Sequence, residues 1–421
     1  MRKIILFACL LFTAIVACAQ ISSSPFVQPY IKITNNDTVQ VFIFNGVSNA
    51  GISYTGSGTT INWYKYSNGV NTFYSSFSTI YPEDATGYTL IVDGVITHIW
   101  VMDYKNYLPV YKSFEPENNP GAQCNDVTLL IDAAIPVMSY KTFNGDVQTL
   151  QREFTIKYLT KIPNGFNWEP KDTTWTVTLP ATQKIVPAPL TNTVFKLYGD
   201  QYASVFGITD TILSSNYTAV AVASLLQTKV TNRFDPKNLN NEGNFPSDKV
   251  SPINFSAPID IQFLSNANEP TTQFYNWGIY KEDKLIINRT DKDHRYTFTE
   301  FGSYKVKLTV SNSTCTKSDS ITVIVTESQL YVPNVFTPNG DGMNDEFRVA
   351  YKSLISFQCW VFNRWGRQVY YWSDPTKGWD GNINGKKATP GPYFYVIKAT
   401  GSDKKKYKLS GDINLLRGAG Y

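Results

Sequence analysis

The sequence predicts an all-β protein built of tandem β-sandwich domains. Three observations lead there. Aromatic residues make up 14% and charged residues only 17% of the 421 residues, and Tyr and Phe alone number 27 and 25. These are residues that pack well on a pleated, half-buried surface. Short runs alternate apolar and polar side chains, and turn pairs such as Asp93-Gly94 separate them. Long stretches with the 3.6-residue period of an amphipathic helix are hard to find. The length after removal of a leader suggests roughly three or four domains of ordinary size.

The leader is read at residues 1–19. Arg2 and Lys3 precede an apolar run from Ile4 to Val16, and the small residues Ala17-Cys18-Ala19 follow. That is the layout of a cleavable secretory signal, with Gln20 as the first mature residue. A rival reading takes Ile15-Val16-Ala17-Cys18 as a lipobox with Cys18 lipidated. No later stretch reaches the run of about 18 apolar residues that a membrane helix needs. Beyond the leader only Cys124, Cys315 and Cys359 remain, an odd number without metal-ligand spacing, so at most one disulfide can form within the chain and the cores must carry the stability.

The first domain is expected over residues 20–118, with strands at Val39–Phe44, Ile61–Tyr66, Tyr88–Val92 and Ile96–Met102. Ser67-Asn68-Gly69 and Asp93-Gly94 supply turns, the second between two apolar runs as in a tight hairpin. Trp63, in Asn62-Trp63-Tyr64-Lys65, resembles the buried Trp of an immunoglobulin-like sandwich, and Asp84 to Tyr88 resembles the approach to a tyrosine corner. A second β-sandwich, of no assigned family, is expected over 119–234. Residues 235–252 are rich in Asn, Pro, Asp and Gly and read as a linker. The third domain, 253–327, carries Tyr275-Asn276-Trp277 and the strand Gly302 to Val310, where Trp277, Tyr304, Val306, Leu308 and Val310 would share one core. It resembles the PKD domain, an Ig-like sandwich that spaces or presents other modules.

The last segment, 328–421, is the most distinctive. It holds Pro333-Asn334-Val335-Phe336-Thr337-Pro338-Asn339-Gly340-Asp341-Gly342-Met343-Asn344-Asp345, then Asn363-Arg364-Trp365-Gly366, Trp379-Asp380-Gly381, Tyr393, Gly411 and Arg417. These ordered blocks resemble the gliding-motility-associated C-terminal domain, the type B sorting domain of the type IX secretion system of Bacteroidetes. The resemblance implies a small β-sandwich, passage by Sec to the periplasm, and then an outer-membrane translocon and an outer-membrane partner protein that recognise it. It further implies a secreted or cell-surface protein.

From Tyr331 onward the chain has 13 Lys or Arg against 7 Asp or Glu, a balance of +6; the remainder has 25 against 27, or −2, which sums to the formal +4. An acidic partner surface would account for that excess, as would lysines that guard a sheet edge. The oxygens of Asn339, Asp341, Asn344 and Asp345 form a candidate calcium loop; Asx turns are the competing role. No other cofactor is expected.

Enzyme chemistry is not expected. The two histidines, His98 and His294, fall in different domains, and neither Gly-x-Ser-x-Gly nor His-Glu-x-x-His occurs. Gly-rich phosphate loops and aromatic-basic nucleic-acid clusters are missing too. The candidate ligand surface lies in the run Trp100 to Tyr111, with Trp100, Tyr104 and Tyr107 as ring platforms for a surface glycan or protein. A strand with its rings in a core would look the same. Taken together, the sequence describes an exported structural or adhesive surface protein, with carbohydrate binding or processing as the alternative.

Overall fold

A computed structural model describes residues 21–23, 31–34, 39–119, 121, 123–230 and 253–417. The leader and the expected linker lie outside them. Strands dominate, and the chain divides into two compact units, residues 1–160 with 170–219 and residues 161–169 with 220–421.

In the first unit, a six-stranded sheet runs in the order Ile31–Thr34, Val39–Phe44, Val95–Asp103, Thr86–Val92, Ile61–Ser67, Val70–Ser75. A three-stranded sheet of Ile21–Ser23, Ile52–Tyr54 and Thr79–Ile80 accompanies it. Trp63, Phe42, Phe44, Tyr88 and Leu90 fill their common core. The Trp63 indole donates to Phe77 O at 3.0 Å. Tyr88 Oη accepts the Glu83 N–H at 2.9 Å, a bond between a core ring and the backbone just upstream that ties down the corner the sequence foreshadows. Asp93 and Gly94 both have positive φ, as a two-residue turn twisted to match its strands demands, and Val92 pairs with Val95.

The second sandwich joins Val110–Pro116, Asp126–Ala134 and Gln183–Pro187 in one sheet. Its other sheet has the order Asn167–Leu179, Arg152–Asn164, Thr193–Asp200, Thr211–Tyr217. Phe114, Leu129, Phe154, Ile156, Phe195 and Leu197 are fully buried between the two. Val110–Pro116, expected in the first domain, thus hydrogen-bonds into the second, with Phe114 opposite Ile131. The strand carries an irregularity between Tyr111 and Ser113, and its pairing is a long-range choice.

The strand Val39–Phe44 is buried on both faces. Phe42 and Phe44 point into the first core, while Val39, Val41 and Ile43 join Tyr66, Trp100, Met102 and Tyr104 in a second cluster. That cluster is completed by Met138, Tyr140, Leu150, Tyr202 and Ala203 from the second sandwich. The two domains therefore share a core.

In the second unit, Ile253–Phe255, Thr316–Val325, Gly302–Ser311, Phe274–Lys281 and Lys284–Arg289 form a five-stranded sheet. Ser224–Val230, Ile259–Ala267 and His294–Phe298 form its companion. Trp277, Tyr304, Val306, Leu308 and Val310 are all buried, as their alternation predicts. Ser224–Val230 was expected at the end of the second domain, yet it pairs along its length with Ile259–Ala267. Asn268 secures the entry to this strand: its amide donates to Ala221 O at 2.9 Å and its carbonyl accepts the Ala223 N–H at 2.8 Å.

The final sheet has the order Val335–Phe336, Lys406–Leu415, Gly391–Gly401, Leu354–Phe362, Gln368–Trp372. Its core contains Phe336, Phe347, Phe357, Trp372, Trp379, Tyr393 and Ile397. At the joint with the preceding sandwich, Ser353 Oγ accepts the Ala257 N–H at 3.2 Å, and Phe301 N–H donates to Ser402 O at 3.1 Å.

Candidate sorting site

Register places the sorting-motif residues at one end of the last sheet. Phe336 is opposite Leu415, Gly391 is also opposite Leu415, and Phe362 is opposite Phe394. The loop after Phe336, the turn after Phe362 and the segment leading into Gly391 therefore emerge together. The joint with the preceding sandwich is at the other end, where Thr400 pairs with Lys406.

One part of the motif builds the core. Trp379 is fully buried, 5.4 Å from Phe336 and 4.9 Å from Tyr393 between ring centres, and its indole donates to Asn382 O at 2.8 Å. Gly381 has φ +73°, and a Cβ there would lie 3.1 Å from Arg417, Leu415 and Pro338. A side chain there would be strained by the backbone and would press against these neighbours. Arg417 Nη2 in turn donates to Gly381 O at 2.9 Å. Gly411 is covered by the Tyr395 ring, whose hydroxyl would sit 2.7 Å from a Cβ. Asn334 O accepts the Asn414 N–H at 2.9 Å, which stitches the Pro333-Asn334 entry to the last strand.

A second part shapes turns. Asn363 Oδ1 accepts N–H groups from Trp365 and Arg367, and Gly366 takes φ +79°. Asp380 accepts the Asn382 N–H at 2.9 Å. In the Asn-Gly-Asp-Gly loop, Asp345 accepts Gly340 and Gly342 N–H at 2.7 and 2.8 Å, which holds its carboxyl below the usual range. Asn339 Oδ1 accepts the Asp341 N–H, Asp341 Oδ1 accepts the Met343 N–H, and Asn344 sits at φ +53°. Side-chain oxygens of Asn339, Asp341 and Asp345 thus accept from the loop's own backbone, as in Asx turns. Among the described residues no group of three His, Cys, Asp or Glu is placed to hold a metal ion.

The loop from Asn339 to Asn344 and the turn from Arg364 to Gly366 are exposed. Trp365 is 75% exposed with the Arg364 guanidinium 4.3 Å over its ring, and Met343 is exposed on the neighbouring loop.

The ring platform expected at Trp100, Tyr104 and Tyr107 is not a surface. Trp100 and Tyr104 are buried in the core shared by the first two sandwiches, and Tyr107 packs against it. Tyr104 Oη donates to Asp200 at 2.6 Å. The second sandwich supplies the face that covers them, and a sequence does not display that partner. The exposed rings of the first sandwich are instead Phe73, Phe77 and Tyr81, on and after the edge strand Val70–Ser75.

His98 and His294 belong to different units. His98 Nδ1 lies 3.1 Å from the Thr89 hydroxyl and its ring stacks on Phe143 at 4.7 Å. Burial lowers the pKa of both imidazoles. Cys359 is buried in the sorting-domain core, where burial pushes its thiol pKa up and keeps it protonated.

Comparison with known proteins agrees with this geometry at two places. Residues 330–413 match the CHU_C Type IX secretion signal domain, and residues 117–214 match the fibronectin type III domain. The second match gives a family to the sandwich that sequence reading left unassigned. No curated protein sequence matches the chain. Among solved structures, the fibronectin(III)-like modules of Clostridium thermocellum CbhA align at 16% identity, covering 40% of this chain and 91% of theirs, with a TM-score of 0.17. The Sidekick-1 immunoglobulin domains 1–5 align at 11% identity over 92% and 81%, TM-score 0.25. A Ca2+-stabilized ice-binding adhesin of an Antarctic bacterium aligns at 11% over 95% and 99%, TM-score 0.20. Scores this low carry no argument about function. The two matched families are structural and sorting modules rather than enzymes, and the chain carries a type IX secretion signal domain behind a fibronectin type III domain.

Proposed function

We propose that this is a structural or adhesive protein of the outer cell surface, or one released from it, in a Bacteroidetes-type cell. The secretion signal domain marks it for the type IX machinery. The further steps of the reading are entry by Sec through the leader at 1–19, the periplasm as waypoint, and an outer-membrane partner at the exit. The observation that carries it is the division of labour along the chain. The sorting motifs lie in one closed domain, and the modules before it, the third PKD-like, are sandwiches with filled cores of the kind used to space and present. Deleting Tyr331–Tyr421 should leave the protein in the periplasm, as judged by protease shaving of intact cells. Normal surface appearance of the truncated chain would overturn the reading.

Phe73, Phe77 and Tyr81 favour a second reading, a surface protein that binds carbohydrate. Their rings offer exposed apolar faces in one short stretch. A glycan array with the whole protein and with Phe73→Ser/Phe77→Ser/Tyr81→Ser tests it; binding that survives the triple change would exclude these rings.

A further inference from the structure

We propose that the open face of the sorting-domain sheet is a docking surface for a carboxylate-bearing protein met during export; this rests on the export reading above. Pairing fixes which side chains share that face. Gln358 is opposite Lys398, and Lys398 is opposite Lys408. One step along, Ser356 is opposite Thr400 and Thr400 is opposite Lys406. Lys398, Lys406 and Lys408 are all exposed, and their strand neighbours Ile397, Ala399 and Tyr407 point the other way, into the domain. The three lysines line a shallow depression with Ser356, Gln358 and Thr400.

Lys406 and Lys408 lie where the strand has no neighbour among the described residues on one side, a place lysines commonly guard, but Lys398 is on the strand inside and directly faces Lys408. Directly opposed cations on adjacent strands destabilise a sheet, and among the described residues none of the three makes an ion pair. The one acid on the same face of these strands is Asp412, opposite Phe394. It is four residues from Lys408, about 13 Å along the strand, well past ion-pair range. No acid among the described residues of the domain offsets this cost, as expected where the counter-charge arrives from outside.

The rest of the face says what brings that charge. Trp360 is opposite Tyr371 and Val396, the Trp360 and Tyr371 rings lie 5.5 Å apart, and Lys398 Nζ rests 5.6 Å from the Trp360 ring centre. Phe394 and Tyr371 are exposed beyond. An aromatic and aliphatic centre with a cationic margin is the composition of a protein interface, with apolar core and charged rim. The face is about 20 Å by 20 Å from strand rise and spacing, so it buries roughly 400 Å² per partner. Contacts of that size are transient, which suits a carrier that must let its cargo go.

The test is Lys398→Glu/Lys406→Glu/Lys408→Glu in the full-length protein, expressed in its own cell. Surface signal should fall at least ten-fold with matching periplasmic accumulation, while circular dichroism and melting of the purified protein stay native. Lys377→Glu/Lys386→Glu/Lys387→Glu, with the same charge change at exposed positions elsewhere on the domain, should export normally. If the first variant is exported normally while deletion of Tyr331–Tyr421 traps the protein, the docking surface is wrong and the export reading stands. If the deletion is exported normally, both fall. Trapping of both charge variants would overturn the assignment to this face, as would export of the first variant followed by loss of retention, which points to an anionic glycan. Should the first variant melt early, Trp360→Ser with native melting must reproduce the trapping or the proposal fails.

Discussion

Arg152 Nε donates to Asp200 Oδ2 at 2.6 Å, and both side chains are cut off from solvent. Arg152 also donates to Pro136 O at 3.0 Å, and Asp200 accepts Tyr104 Oη as well as the Ala203 N–H that opens the helix Gln201–Val205. A buried pair is not by itself a source of stability, since desolvation consumes much of its attraction. Removing one partner, however, strands the other in the interior. Asp200→Ala or Arg152→Ala should therefore cost about 3–5 kcal/mol. Tyr104→Phe, which removes one bond to the carboxylate, should cost about 1–3 kcal/mol. Urea unfolding followed through near-UV circular dichroism measures all three, and a loss under 1 kcal/mol for Asp200→Ala would contradict the network.

His98 makes the shared core sensitive to acid. Its ring is T-shaped to Tyr66 at 5.6 Å and stacked on Phe143 at 4.7 Å, and burial lowers its pKa. A lowered value means the fold prefers neutral imidazole. The stabilisation is complete above the unfolded value of about 6.5 and is lost as pH falls through the folded value. Melting temperature should decline below about pH 6.5, and His98→Gln should flatten that part of the curve. An unchanged slope in the variant would assign the acid sensitivity elsewhere.

Trp379 and Trp365 carry opposite expectations, although both belong to the same motif. Trp379→Ala empties a fully buried site and should cost about 3–5 kcal/mol. Trp365→Ala removes an exposed ring and should change stability by under about 0.5 kcal/mol. Thermal unfolding of the two variants is the check; equal losses would mean that the turn is packed in solution.

Much of this was legible in the sequence because it is local. Asp93-Gly94 declares its turn within two residues, and Trp63 and Tyr88 declare their sandwich through strand alternation and a short corner. The sorting blocks are legible for the same reason, since Asn363, Gly366 and Asp345 act on backbone within five residues. The misread parts are the non-local ones. Trp100 and Tyr104 alternate as exposed platforms would, and what buries them comes from Met138 to Ala203. Ser224–Val230 lies within the stretch assigned to the second domain, but its partner lies beyond a polar stretch that looks like a boundary. Arg152 and Asp200 stand 48 positions apart, and nothing in either neighbourhood announces the other. The lysine face is of this kind too: Lys406 and Lys408 form a visible basic run, whereas Lys398 joins them only through register.

The strand Lys406–Leu415 pairs along its length with Gly391–Gly401 and, at Asn414 and Leu415 alone, with Val335–Phe336. Arg417 then closes on Gly381. A chain cut before Lys406 lacks this strand, and Val335–Phe336 loses its partners Asn414 and Leu415. Cleavage before Lys406 would leave most of the sorting blocks in the chain while removing the strand that pairs with Gly391 through Thr400.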